Sequence, residues 1–113
     1  MKPSKKTLNK IFFLGIGGIG MSGLAEVLLN LGYTVSGSDI KQTFITKRLS
    51  SLGIRVIIGH NATNISDADM VIRSAAIEDT NPEIIEAQKQ ALPVLERAEL
   101  LSSLMNMKRG IAI

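Results

Sequence analysis

Apolar residues recur along this chain in short blocks whose spacing alternates between two kinds. The block 11–16, Ile-Phe-Phe-Leu-Gly-Ile, is apolar on both faces, as the central strand of a parallel sheet is. Met21, Leu24, Ala25, Leu28 and Leu31 then recur at helical spacing and predict a helix over 20–31, closed by Gly32 as its C-cap. The alternation continues with a strand over 33–38, a helix over 44–52 ending on Gly53, a strand over 55–58, one helical turn within 65–68 and a strand over 70–74. Asn81-Pro82-Glu83 predicts a helix start. Asn is the N-cap, Pro takes the first helical position, and Glu83 and Glu86 lie near the positive end of a helix that runs to about Ala91. A short strand over 93–95 and a helix over 97–105 complete the pattern, and 110–113 reads as the start of another strand.

Strands and helices that alternate through short loops imply a parallel sheet with right-handed crossovers. The expected fold class is α/β: a single domain over 11–107 with a Rossmann-like parallel sheet, order 3-2-1-4-5, and helices on both faces. Ligands of such sheets bind at the carboxyl ends of the strands where the order reverses. That rule brings four loops together, at 17–20, 37–39, 59–61 and 74–77.

The first of these loops carries the clearest chemistry. Gly15, Gly17 and Gly20 fit the spacing G-x-G-x-x-G between an apolar strand and an amphipathic helix, with Asp39 nineteen residues beyond Gly20 at the end of the second strand. The glycines permit a tight turn, close approach to a diphosphate, and helix-on-strand packing. The helix amides and dipole then hold an anion without charged side chains. Asp39 is placed to accept hydrogen bonds from a ribose diol. A dinucleotide needs two mononucleotide-binding halves, and this chain offers one half plus two short strands, so a ligand with one nucleoside and a diphosphate, such as a UDP-sugar, fits better than NAD. NAD binding, as in a dehydrogenase or channel regulator, stays open as the alternative.

Composition narrows the class. Hydrophobic residues make up 45% of the 113 and charged residues 20%, values that support a folded core rather than disorder. No apolar run approaches the roughly 18 to 20 residues of a bilayer span, and the opening segment lacks the apolar core and cleavage site of a signal peptide, so a cytoplasmic location without a membrane partner is expected. The absence of cysteine excludes disulfides, thiol nucleophiles and zinc fingers. Of the net charge of +3, Lys2, Lys5, Lys6 and Lys10 carry four positive charges, which leaves nine basic against ten acidic residues in the rest of the chain. No aromatic residues interleave with these lysines, so 1–10 reads as a flexible basic leader rather than a nucleic-acid-binding arm.

Other candidates are weaker. His60 is the single histidine, which excludes a His-pair metal site, and as an isolated residue it reads as a solvated loop histidine. Ser74, with the backbone of Ala75 and Ala76, lies beside the glycine turn. Arg73 is expected to snorkel outward, and Asp67 and Asp69 to form a solvated face rather than a metal site. No nucleophile, histidine pair or carboxylate pair suggests catalysis, so on these residues alone the chain is a binding domain.

Taken in order and spacing, Gly15-Ile16-Gly17-Gly18-Ile19-Gly20-Met21-Ser22-Gly23, Ser36-Gly37-Ser38-Asp39, Gly59-His60, Ser74-Ala75-Ala76-Ile77, Asn81-Pro82-Glu83 and Arg97-Ala98-Glu99-Leu100-Leu101 resemble the N-terminal domain of the Mur ligases. The resemblance covers 11–113 and is strongest to the branch that joins L-alanine to UDP-N-acetylmuramate in peptidoglycan synthesis. A sister branch that recycles muramyl tripeptide stays open. Ala75 stands where the family's serine is expected, which removes a hydroxyl contact there.

The resemblance implies a three-domain ligase in which ATP and magnesium activate the muramate carboxylate for attack by L-alanine. The ATP-binding domain would begin at 108–113, so this stretch would hold the UDP-sugar but no ATP, magnesium or catalytic residue. Carried over by position, Gly17, Gly18, Gly20 and Met21 would line the diphosphate, Asp39 and His60 the uridine, and Ser74 and Ala76 the neighbouring wall.

Overall fold

A computed structural model describes residues 10–100 and Ser102. The expected leader at 1–9 and the expected start of a further domain at 108–113 lie outside the described residues. Five strands, β1 (Lys10–Leu14), β2 (Thr34–Asp39), β3 (Arg55–Ile58), β4 (Met70–Arg73) and β5 (Val94–Glu96), alternate with helices α1 (Ile19–Asn30), α2 (Phe44–Ser51) and α3 (Pro82–Lys89). A 3-10 turn at Ala62–Ile65 precedes β4, three residues earlier than the turn expected within 65–68. The chain is helical again at 97–100, while 103–105 of that expected helix lies outside the described residues.

All pairings are parallel and the sheet order is β3-β2-β1-β4-β5, as the alternating pattern predicts. One boundary changes. Lys10, expected in the leader, opens β1 opposite Thr34, because its amide donates to Asp69 Oδ2 at 2.8 Å and its carbonyl accepts from the Asp69 amide at 2.8 Å.

Side-chain alternation in the central strands explains why both faces need cover. Ile11 and Phe13 of β1, with Met70 and Ile72 of β4, join Met21, Leu24, Ala25 and Leu28 of α1 and Leu49 of α2 on one face. Phe12, Leu14 and Val71 point the other way, onto Ile65 and onto Ile84 and Ala87 of α3. Each fully buried Phe or Leu contributes about 1.5–3 kcal/mol relative to exposure.

The helix ends follow one device. After α1 the Tyr33 amide donates to the Leu28 carbonyl at 3.1 Å across Gly32 at φ +101, and after α2 Ile54 donates to Leu49 at 3.2 Å across Gly53 at φ +104. After α3 the same bond, Leu92 to Ala87 at 2.9 Å, is made across Ala91 at φ 58, a left-handed position that favours glycine.

Candidate functional site

The turn between β1 and α1 is folded back on the end of β2. The amides of Gly15 and Ile16 both donate to the Ser38 carbonyl, at 2.8 and 3.1 Å, and the Gly18 amide donates to the Gly15 carbonyl at 3.1 Å. Gly15 takes φ +80, and a Cβ there would lie 3.1 Å from Ser74 Cβ, so this glycine is required on two counts. Helix α1 has Gly18 as its N-cap, no side-chain cap and no acidic residue in its first turn. The amides of Ile19, Gly20 and Met21 therefore have no acceptor among the described residues, which leaves a positive helix end facing outward.

Gly17 has a different role from the one its spacing suggests. Its amide donates to Asp39 Oδ2 at 2.8 Å, and a Cβ on it would meet that oxygen at 2.8 Å and the Thr46 methyl at 3.0 Å. The missing side chain makes room for the Asp39 carboxylate, and Gly17 does not line either of the cavities described below. Asp39 Oδ1 accepts from the Ile40 amide at 2.8 Å, so the carboxylate ties the glycine turn to the loop after β2. A carboxylate has about four acceptor positions, so Asp39 keeps capacity for hydroxyl donors.

Beside Asp39, at the end of β3, His60 is held by a buried carboxylate. Its Nδ1 lies 2.7 Å from Glu83 Oε1 and 3.0 Å from Ser38 Oγ. Glu83, expected as an acid near the positive end of the helix, is fully buried, 0% exposed. Besides His60 it accepts from Ser38 Oγ at 2.7 Å, Asn64 Nδ2 at 2.6 Å and the Asn61 amide at 3.3 Å. The Asn81-Pro82 start positions it, since Asn81 Oδ1 accepts from the Glu83 amide at 2.8 Å and Pro82 begins the helix. Sequence reasoning missed this hub; the one available signal was the coincidence of His60, Asn61, Asn64 and Glu83 around a single sheet edge.

The loop after β4 closes the third side. Ser74 Oγ accepts from the Ala76 amide at 3.1 Å, so Ala76 contributes wall rather than a free amide, while the Ser74 hydroxyl proton stays available. Arg73 does not snorkel outward as expected. It donates to Asp79 Oδ1 at 2.6 Å and to the Ile77 carbonyl, and so braces this loop.

Two open cavities meet at Gly18 and Ser74. The first, about 430 Å³, is lined by Gly15, Gly18, Asp39, His60, Ser74 and Ala76, together with Ile40, Ile77, Glu78, Thr80 and Asn81. The second, about 400 Å³, is lined by Gly18, Gly20, Met21, Ser74 and Ala75 with Arg73, Glu96 and Arg97. Of the eight residues singled out from the sequence, all but Gly17 line one of the two. Arg97 was not singled out; a Cβ on Gly20 would lie 3.0 Å from its Nε, so that glycine admits a guanidinium as well as helix packing.

An open cleft at the carboxyl ends of the strands of a 3-2-1-4-5 sheet narrows the candidates, and sequence comparison decides among them. The profile described as Mur ligase family, catalytic domain, matches residues 10–109. The chain belongs to the Mur ligase family. The UDP-N-acetylmuramate–L-alanine ligase of Geobacter sulfurreducens is 58% identical over 106 residues, which is 94% of this chain and 23% of that protein. Among solved structures, the MurC of Thermotoga maritima superposes with a TM-score of 0.83 at 40% identity, over 87% of this chain and 23% of that one. The UDP-N-acetylmuramate:L-alanyl-gamma-D-glutamyl-meso-diaminopimelate ligase of Neisseria meningitides gives 0.78 at 28% identity, over 86% of this chain and 31% of that one. The chain thus spans 23% of the length of the curated Mur ligase it matches. The Rossmann-like fold expected from the pattern is the fold of this family's N-terminal domain.

Proposed function

We propose that this chain is the UDP-N-acetylmuramate-binding portion of a ligase that joins L-alanine to that sugar nucleotide, a cytoplasmic step of peptidoglycan synthesis. The observation that carries the reading is the uncapped start of α1. Ile19, Gly20 and Met21, with free amides, line the second cavity, which adjoins at Gly18 and Ser74 the first one, lined by Asp39 and His60. A diphosphate at the turn then places one nucleoside against Asp39 and His60 and leads the sugar toward the Arg97 side. The greater identity to the Thermotoga MurC, 40% against 28% for the recycling-type ligase, supports L-alanine as the amino acid joined.

Such a reaction needs ATP and magnesium. No group of three or more His, Cys, Asp or Glu that could hold a metal ion occurs among the described residues. The reading assigns both, with L-alanine, to the further domains of a longer ligase beginning at 108–113, and leaves this stretch to bind and orient. No helix among the described residues is long and apolar enough to cross a membrane. The NAD-binding alternative is not favoured, since the similarity over 94% of the chain is to ligases.

Calorimetric titration of the chain with UDP-N-acetylmuramate and with NAD tests the reading. Saturable binding of the UDP-sugar alone is expected, and binding of NAD alone overturns it.

A further inference from the structure

We infer that the buried Glu83 makes His60 a base-selective acceptor: it holds the ring proton on Nδ1, so that Nε2 presents a lone pair to the cleft and selects a base carrying a ring N–H, as uracil does at N3, over one carrying a ring lone pair there, as cytosine does. The inference rests on the uridine-site reading above.

Glu83 is fully buried and surrounded by donors on both oxygens: Ser38 Oγ on Oε1, and the Asn61 amide with Asn64 Nδ2 on Oε2. That is the environment of an acceptor-only carboxylate. His60 Nδ1, 2.7 Å from Oε1, must then bring its own hydrogen, because two lone pairs at that distance repel. The Ser38 hydroxyl, with one proton directed to Glu83 at 2.7 Å, accepts the outer share of the Nδ1–H at 3.0 Å.

A neutral imidazole with Nδ1 protonated has an acceptor at Nε2. No described residue bonds Nε2, and the ring lines the larger cavity beside Asp39 and Asn81. Free histidine favours the opposite tautomer, so the buried carboxylate reverses an intrinsic preference. Glu83 is a positioning residue that acts through His60.

The test uses the fact that His60 is the only histidine of the chain, so its two ring nitrogens can be read without assignment. Nitrogen-15 spectra of the free chain, recorded with the ring neutral, are expected to show a protonated Nδ1 and a lone-pair Nε2. Adding UDP should move the Nε2 signal, and UDP should bind on the order of tenfold more tightly than CDP, the weight of one hydrogen bond of about 1.4 kcal/mol. Glu83→Gln, whose amide can donate to Nδ1, should release the tautomer and bring the UDP-to-CDP ratio toward one. His60→Gln, which keeps the other three donors to Glu83 and offers the base both a donor and an acceptor, should do the same if the first variant does not fold.

A protonated Nε2 in the free wild-type chain overturns the inference and leaves the UDP-sugar reading standing so long as UDP-N-acetylmuramate binds. Equal affinity for UDP and CDP overturns it in the same way. Failure of every uridine nucleotide to bind overturns both.

Discussion

The two ends of the cleft are built on opposite principles. At the glycine turn the protein leaves hydrogen-bonding groups unmet: Ile19, Gly20 and Met21 offer amides that no described residue accepts. At the His60 end every buried polar side-chain atom has a partner, and one carboxylate serves four donors. Open amides suit a ligand group that brings its own negative charge and tolerates several orientations. A saturated network suits a planar group that must be read by one edge, because a ring held from behind has a single orientation to offer. On the function proposed above, the first end would take the diphosphate and the second the base.

The largest test of this contrast is Glu83→Ala. It strands four donors in a buried site, and a loss on the order of 3–5 kcal/mol in urea unfolding is expected. A loss no larger than that of a surface substitution would mean that the network does not act as a unit. Next comes Gly15→Ala, which meets both a left-handed backbone and Ser74 Cβ at 3.1 Å. A stability loss of about 1–3 kcal/mol is expected from the strained backbone. It should be accompanied by weaker UDP-sugar binding, since the same turn aims the free amides.

Gly20→Ala separates the two ends more finely. The added methyl lies 3.0 Å from Arg97 Nε, at a flexible and exposed side chain that can move aside, so stability should hold within about 0.5 kcal/mol. It narrows the phosphate end alone. UDP and UDP-N-acetylmuramate should both weaken by about tenfold in titration while the preference for UDP over CDP is unchanged. A change in base preference instead would show that the ends are coupled.

The smallest effect is expected away from both. Arg48 of α2 pairs with Glu26 of α1 through Nε at 3.0 Å and Nη2 at 3.1 Å, and that hydrogen bond holds the Glu26 carboxyl below its ordinary value. A carboxyl lowered in the folded state contributes stability above its unfolded value and loses it as pH falls through the folded one. Glu26→Gln should therefore lower the melting temperature slightly at neutral pH, by an amount that vanishes as pH falls through the folded value, and leave nucleotide binding untouched, which makes it the control for the other three.

Several features were legible without coordinates. Helical and strand periodicities in adjacent blocks require alternating elements, short loops require parallel crossovers, and together these yield the observed strand order and the place of the cleft. Gly32, Gly53 and Asn81-Pro82 mark helix ends because their constraint is local, a backbone angle or a missing amide. The end of α3 was less sharply marked, because Ala91 adopts the position that glycine fills after α1 and α2.

Other roles depend on residues far apart in the chain. Asp39 and Gly17 carry the types of a ribose contact and a diphosphate contact, yet each is the other's hydrogen-bond partner across 22 positions. Gly37 reads as an ordinary strand glycine, but a Cβ there would lie 2.7 Å from both the Phe13 carbonyl and the Ile16 side chain. Glu83 has the sequence context of an acid near the positive end of a helix and is buried because β2, the loop after β3 and α3 converge on it. Periodicity and local backbone preference are encoded within a few neighbours, so they can be read along the chain. Which donor meets which acceptor is set by distances between elements, and those exist only once the sheet has formed.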